Sequence, residues 1–145
     1  MLIPVLLCVV AVWHDVKRRE IPDRVSWLLL ISGLVSAALG WHAVSFAGSV
    51  FGVVVGFSVV LPFAMREGIG GGDLKLVASL GAWLGVPGMV VLLFWSAISG
   101  MVVAILTHLR GQKDFPFAPA ILLGLLIAVI YPQSLERLID MLQQA

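Results

Sequence analysis

The stretch "REGIGGGDLKL" (Arg66–Leu76) lies between two long apolar runs and brings three consecutive glycines, an aspartate and two basic residues together. The rest of the chain is strongly apolar, because 61% of its 145 residues are hydrophobic, only 12% are charged, and its mean hydropathy is +1.10. Soluble domains are nearer to half apolar and a quarter charged, so this composition predicts a membrane protein. We expect a single transmembrane domain over residues 1–145.

Apolar runs predict an all-α, polytopic fold with six transmembrane helices. The runs lie at 2–13, 25–41, 44–65, 74–85, 88–109 and 117–131. An upright span needs about 20 residues, so the third and fifth runs are long enough, whereas the first and fourth are short. Between the fourth and fifth runs, "GVPG" (Gly85–Gly88) predicts a turn. After these spans, helical spacing of leucine and isoleucine over 134–145 predicts a short amphipathic helix.

The distribution of positive charge predicts the orientation of these six spans. Eight of the nine Lys and Arg residues fall on one side of the membrane, and only Arg137 falls on the other. The eight are Lys17, Arg18, Arg19, Arg24, Arg66, Lys75, Arg110 and Lys113. Positive loops stay in the cytoplasm, so both termini are predicted outside a cell inner (plasma) membrane.

Several kinds of site are disfavoured by composition. The single cysteine, Cys8, excludes an internal disulfide and a cysteine-rich zinc site, and no metal or cofactor is expected. The net charge of +1 comes from basic residues scattered in short loops, which does not indicate nucleic-acid binding. Residues 1–13 lack the basic region and cleavage site of a signal peptide. We expect the lipid bilayer to surround the protein.

Two aspartates stand out because each adjoins a predicted span. Asp15 follows the first span and Asp73 precedes the fourth, so both are predicted at the cytoplasmic edge, where helix packing could bring them together. Two carboxylates in a partly dehydrated site share a proton, so that one can activate water while the other protonates a carbonyl oxygen. As alternatives, Asp15 pairs with Arg19 on an exposed turn, and Asp73 is the N-cap of the fourth span.

The glycines beside Asp73 have a matching interpretation. Gly70, Gly71 and Gly72 remove side-chain bulk and permit positive φ angles. A substrate backbone could then approach the carboxylate, or the segment could move to admit it. A glycine-rich turn that merely joins two helices is the alternative.

Three segments together resemble a known family. "HDVKRREIPDRVS" (His14–Ser26) resembles the first catalytic segment of type IV prepilin peptidases, and "GGGDLKL" (Gly70–Leu76) resembles their GxGD motif with its following Lys-Leu. "FPFAPAILLG" (Phe115–Gly124) is similar to the proline-containing segment that opens the last helix of the family. With the six-span order, the resemblance covers essentially the whole chain.

The resemblance implies a membrane aspartyl endopeptidase that removes the basic leader of prepilins or pseudopilins at the cytoplasmic membrane face. Carried over by position, it implies a catalytic pair, two motif glycines, a motif lysine and a proline that shapes the first loop. These residues are Asp15 and Asp73, Gly70 and Gly72, Lys75, and Pro22. The lysine has two interpretations, a substrate contact or a positive-inside anchor.

This sequence also departs from the family pattern. Asp23 stands where the family usually has Asn. Bifunctional members carry an insertion with paired CxxC motifs and N-methylate the pilin, whereas the first loop here is short and has no cysteine. We therefore expect peptidase activity without methylation, as in the short enzymes of Tad/Flp pilus systems. Glu20, Glu67 and Asp114 are interpreted as solvated loop charges, with attraction of the basic leader as the alternative.

Other functions remain open from sequence alone. Archaeal preflagellin peptidases share the GxGD motif and are the nearest competing assignment. A small proton- or ion-coupled transporter could use Asp15 and Asp73 as carriers, although transporter sites tend to lie near the midplane and between repeats. A non-enzymatic membrane subunit of a pilus or secretion machine is the third alternative.

Overall fold

The computed structural model describes residues 2–18, 21–41, 43–66, 70–109 and 117–130. These ranges contain five helices and no strand, which confirms the predicted all-α class for the part of the chain they cover. The helices are α1 (Leu2–Arg18), α2 (Asp23–Ala38), α3 (Phe46–Met65), α4 (Gly71–Leu109) and α5 (Ala118–Ile130). The predicted amphipathic helix at 134–145 lies outside the described residues.

The longest element, α4, is broken at Gly85. This residue has φ 62° and ψ −173°, a backbone conformation that side chains other than glycine rarely adopt. Pro87 follows within the first turn of the second part, where a missing N–H group has no cost. The helix therefore has two parts, 71–84 and 86–109, where the sequence predicts the fourth and fifth spans.

The chain reverses direction at this break. A Cβ atom added to Gly56 of α3 would lie 3.3 Å from the carbonyl oxygen of Val77 and 2.5 Å from Cε of Met89. In a straight helix those two residues would be about 18 Å apart, too far for one glycine to touch both. The two parts of α4 thus lie side by side. The predicted turn over 85–88 takes the form of a one-residue break.

Two of the described helices are long and apolar enough to cross a membrane, judged by length and composition. They are α3 and the stretch Gly71–Thr107 of α4. The helix α5 is equally apolar but shorter. Because Gly85 divides the second stretch, its first part has 14 residues, fewer than the roughly 20 of an upright span.

The core of the bundle is built around α4, which packs against all four other helices. Its fully buried side chains meet those of α2 and α5, and the largest of them are Leu29, Leu76, Leu80, Met89, Leu92, Ile121 and Leu125. Against α3 the contact is between backbones, because a Cβ atom at Gly52 would overlap the carbonyl of Gly81, and the reverse also holds. Small residues allow such close approach of helices in membrane proteins.

Within the described residues, charge is confined to one end of the bundle. The C-terminal ends of α1 and α3 and the N-terminal ends of α2, α4 and α5 lie there. Every Asp, Glu, Lys or Arg in the described ranges is at this end, namely Asp15, Lys17, Arg18, Asp23, Arg24, Arg66, Asp73 and Lys75. At the opposite end, Gly85 packs against Val44 in the connection between α2 and α3. We call these the charged end and the uncharged end.

Candidate active site

A cleft of about 940 Å³ opens at the charged end. Its walls come from the end of α1, the start of α2 and the start of α4, which carry the two motif segments singled out from the sequence. The lining residues are His14, Asp15, Arg18, Ile21, Pro22, Asp23, Arg24, Val25, Gly70, Gly71, Gly72 and Asp73. The fold therefore brings together two segments that are separated by two helices in the chain.

Asp15 is held in the cleft by the buried stripe of α1. Pro4, Cys8, Ala11 and Asp15 are the buried residues of this helix, at the spacing of one helical face. Asp15 is 8% exposed, and its Oδ2 accepts a hydrogen bond from the backbone N–H of Ala118 at 3.3 Å. This burial contradicts an exposed position for Asp15, whereas its predicted pairing with Arg19 lies outside the described residues.

The α1 helix is longer than the predicted span over 2–13. It continues to Arg18 and includes the aspartate in its last turns. The added turns are polar on their exposed side, where Lys17 lies 4.7 Å from the ring centroid of Trp13. Hydropathy marks only the apolar part of a helix, so the span ends before the helix does.

Asp73 is the third residue of α4 and is also 8% exposed. The helix begins at Gly71, so Gly70 occupies the capping position and Asp73 lies inside the first turn. The predicted alternative, in which Asp73 itself is the N-cap, is therefore wrong. The Asp73 carboxylate accepts a hydrogen bond from the backbone N–H of Gly70, as the third helical residue does in a capping box.

The two oxygens of the Asp73 carboxyl group differ in their contacts among the described residues. Its Oδ1 is buried and has no hydrogen-bond partner within the described residues. The two carboxyl groups are close enough for the charge of Asp15 to act on Asp73, and both face the same cleft. Two buried carboxylic groups with interacting charges can exchange protons with a bound water or peptide, which is the arrangement that acid–base catalysis needs.

The glycine run does not use positive φ angles. Within the described residues, positive φ occurs at Gly40 and Gly85, so the positive angles that Gly70, Gly71 and Gly72 permit are not adopted there. The reason is that Gly71 and Gly72 already belong to the first turn of α4. What matters at Gly72 is space, because an added Cβ atom would lie 3.1 Å from Cβ of Ile21.

Of the remaining predicted site residues, Pro22 lines the cleft, and Lys75 contacts the lining residue Asp23. Pro22 caps α2 in an extended conformation with ψ 127°, and its carbonyl oxygen accepts a hydrogen bond from Val25 N–H at 3.0 Å. Lys75 Nζ lies 2.8 Å from Asp23 Oδ1. This ion pair joins the two motif segments directly. It also gives a partner to the aspartate that replaces the usual Asn.

One contact in the site was missed from the sequence. Nothing in a linear pattern shows that the N–H of Ala118 reaches a carboxylate 103 positions away. The available signal was the proline-containing segment over 115–124, since a helix that starts there has N–H groups without intrahelical acceptors. The acids interpreted as solvated loop charges, with attraction of a basic leader as the alternative, lie outside the described residues; they are Glu20, Glu67 and Asp114. Within those ranges, no three or more His, Cys, Asp or Glu residues are grouped to hold a metal ion.

Most of the sequence is similar to known proteins. The model of the type IV leader peptidase family matches residues 2–105, which include both buried aspartates. The chain is similar to curated prepilin leader peptidase/N-methyltransferases, with 34% identity to that of Neisseria gonorrhoeae, 33% to that of Dichelobacter nodosus and 34% to that of Bacillus subtilis. These alignments cover 74%, 86% and 90% of this chain, respectively.

The same alignments cover 40%, 46% and 54% of the relatives, so the chain spans about half of their length. No solved structure matches the chain. The family model takes in well over half of the chain and both motif segments. The chain therefore belongs to the type IV leader peptidase family.

Proposed function

We propose that this protein is a membrane aspartyl endopeptidase that removes the basic leader of type IV prepilins, of the Flp-like class, at the cytoplasmic face of the membrane. The observation that carries the proposal is the burial of Asp15 and Asp73 in one cleft, each held by a backbone N–H donor. Membership of the leader peptidase family and the substrate named by the relatives support the same activity.

The proposed reaction needs one ionised and one protonated carboxyl group. The carboxylate takes a proton from water as the water oxygen attacks the scissile carbonyl carbon, and the other group donates its proton to the carbonyl oxygen. In the second half, the first group returns its proton to the amide nitrogen while the second takes a proton from one hydroxyl. The C–N bond then breaks, and both carboxyl groups end in their starting states.

The position of the cleft fits a substrate that has a polar leader followed by an apolar helix. We propose that the six helical segments cross the membrane with the charged end in the cytoplasm, in agreement with the positive-inside rule. The catalytic pair would then lie at the membrane edge. The junction between leader and helix could reach it there without unwinding a whole membrane span.

Methylation is not part of this proposal. The relatives are named for both peptidase and N-methyltransferase activity, but this chain has one cysteine and no paired CxxC motif. That cysteine, Cys8, is buried within α1. The connection between α1 and α2 is only four residues, 19–22, which leaves no room there for a separate cysteine-containing segment.

The first prediction tests the catalytic pair. The chain is co-expressed with a Flp-type prepilin, and the wild type is compared with Asp15→Asn and Asp73→Asn, which keep the side-chain shape but remove acid–base chemistry. We expect the wild type to shorten the prepilin and each variant to leave it at full length, a loss of at least about a thousandfold in rate. Mass spectrometry of the mature pilin should show the new N-terminus without an added methyl group.

Folding is the control for this experiment. Each variant should elute from size exclusion in detergent at the wild-type volume and keep the wild-type helical circular dichroism. If either folded variant still cleaves, the aspartates are structural and the proposed mechanism is wrong. A wild type that is inert on several prepilins would reject the activity, whereas a methylated product would reject only the absence of methylation.

A further inference from the structure

We propose that the N-terminus of α5, through the backbone N–H of Ala118, keeps Asp15 as the ionised member of the pair, so that Asp15 activates water and Asp73 donates the proton. This inference rests on the proposed peptidase function and adds the role of each aspartate. The sequence and the family relationship leave those roles open, because they treat the two carboxyl groups alike.

The environment of Asp15 favours its ionised form. Its Oδ2 accepts the Ala118 N–H at 3.3 Å within a buried contact. The carbonyl of Phe117 accepts bonds from the N–H groups of Ala120 and Ile121, so Phe117 is the N-cap and Ala118 the first residue of α5. The first N–H groups of a helix have no intrahelical acceptor and carry its positive dipole end, and both effects favour a carboxylate over a neutral acid.

The environment of Asp73 favours its protonated form. Its carboxyl group accepts one hydrogen bond from Gly70, and its Oδ1 is buried without a partner among the described residues. An ionised oxygen left in that position would be poorly solvated and would face the charge of Asp15. A proton on Oδ1 removes both costs and turns this oxygen into a donor. Asp73 is therefore the group suited to hold the shared proton.

Other charged groups also surround Asp15. The cleft has titratable or charged groups on α1, α2 and α4, namely His14, Arg18, Asp23, Arg24 and Asp73. Asp23 is paired with Lys75, and α5 has no ionisable side chain over 118–130. The contribution of α5 is thus a neutral dipole and one N–H donor. A test of the α5 contribution can therefore remove this N–H group and leave every charged group in place.

These assignments order the reaction. Asp15 takes the proton of the attacking water while the Asp73 hydroxyl protonates the carbonyl oxygen. Asp15 then passes its proton to the leaving nitrogen, and Asp73 recovers one from a hydroxyl of the intermediate. The peptide C–N bond breaks, the leader ends in a carboxyl group and the pilin in an amine, and Asp15 is again ionised. Ala118 is a positioning residue, because it acts only through Asp15.

The test removes the single N–H group. Ala118→Pro deletes the donor at the first position of a helix, where the backbone angles of proline are accepted, and Ala118→Gly retains the donor as the matched control. Without its donor, Asp15 is protonated more readily as the pH falls. We expect the acidic limb of the pH profile of kcat/KM for prepilin cleavage to move up by about one pH unit in Ala118→Pro alone. The alkaline limb, set by Asp73, should move less.

Since proline is larger than alanine at this fully buried position, a second variant keeps the test decisive. An α-hydroxy acid analogue of alanine at 118 replaces the N–H by an ester oxygen without added bulk. The same shift of the acidic limb in this variant supports the inference. Acidic limbs that match the wild type in the folded variants reject it, while inactive Asp15→Asn and Asp73→Asn still support the peptidase. If an Asp→Asn variant cleaves, the proposed function fails instead.

Discussion

The charged side chains at the cleft differ greatly in burial. Asp15 and Asp73 are 8% exposed, whereas the side chains of Asp23 and Lys75 in the ion pair are 60% and 53% exposed. An exposed pair contributes at most about 1 kcal/mol, because water screens it and ordering two side chains costs entropy. The importance of the Asp23–Lys75 pair is therefore its position, since it joins the first and second motif segments.

We expect charge exchange to reveal this connection. Asp23→Lys and Lys75→Asp each place like charges opposite one another where the two motif segments meet, so each should lower kcat/KM for leader removal by about fivefold. The double variant restores an attractive pair with reversed polarity and should recover most of that loss. The measurement is a double-mutant cycle at low and high salt, with the coupling weakening at high salt.

The cycle also separates the two interpretations of Lys75. If Lys75 contacts the substrate, the exchanged pair stays as impaired as Lys75→Asp alone, and the idea of a connecting ion pair is wrong. If Lys75 is only a positive-inside anchor, neither single variant changes the kinetics of the purified enzyme. Only a connecting role predicts both loss and recovery.

Some of these contacts between residues could be predicted from the sequence. Both aspartates adjoin apolar runs that return to the same face of the membrane, so the possibility of their meeting followed from the order of the spans. Their hydrogen bonds did not, because a backbone donor such as Ala118 N–H has no side-chain signature. The ion pair between Asp23 and Lys75 was missed for a different reason, since many basic residues of this end could have paired with Asp23.

At the scale of helices, the first turns form much of the proposed site. The first turn of α4 supplies Asp73 and packs against the segment that leads into α2. At this contact an added Cβ atom on Gly72 would lie 3.1 Å from Cβ of Ile21, while one on Gly71 would meet nothing within 4 Å. Close packing therefore favours glycine at position 72, whereas at position 71 a larger residue would meet no neighbour.

We expect this difference to appear in stability. Gly72→Ala forces the two segments apart by a few tenths of an ångström and should lower the free energy of unfolding by about 1–3 kcal/mol. Gly71→Ala adds a methyl group in open space at a helical position and should leave stability equal or slightly higher. Thermal unfolding of both variants in the same detergent gives the comparison. Equal melting temperatures would show that the contact with Ile21 does not constrain the motif.

Helix boundaries show what patterns of apolar residues can and cannot locate. The break at Gly85 was predictable because glycine and proline within four residues interrupt a helix. The polar extension of α1 to Arg18 was not, since its last turns are charged outside and buried on one face only. The start of α4 at Gly71 was also missed, because three glycines favour a turn over a helix until packing fixes the backbone.

At the scale of the whole molecule, the exposed apolar surface and the charged end both fit a protein in a membrane. Large apolar side chains are exposed along α1, α2, α3 and the second part of α4, including Trp13, Trp27 and Phe94. A surface of this kind is expected in contact with lipid. Trp83 is different, because it is buried and its Nε1 donates to the carbonyl of Leu29. It therefore fixes α2 against α4 instead of marking a membrane interface.

The proposed topology leads to the last prediction, which concerns the two ends of α3. Trp41 lies at the uncharged end before α3 and Met65 at the charged end, and each is 76% exposed. In a chain with Cys8→Ala, single cysteines are introduced as Trp41→Cys and Met65→Cys. Because the two positions are equally exposed, any difference in labelling reports the side of the membrane and not burial. Both changes leave the number of charges unaltered, which keeps the positive-inside signal intact.

We expect a membrane-impermeant maleimide to label Trp41→Cys in intact spheroplasts and Met65→Cys only after the membrane is opened. The reason is that the proposed topology keeps the charged end, with the cleft and all the described Lys and Arg residues, in the cytoplasm. Labelling of both cysteines in opened membranes is the control for reactivity. The reverse pattern would place the proposed catalytic pair outside, where a leader that has not crossed the membrane could not reach it. The proposed site of cleavage would then be wrong even if Asp15 and Asp73 proved essential.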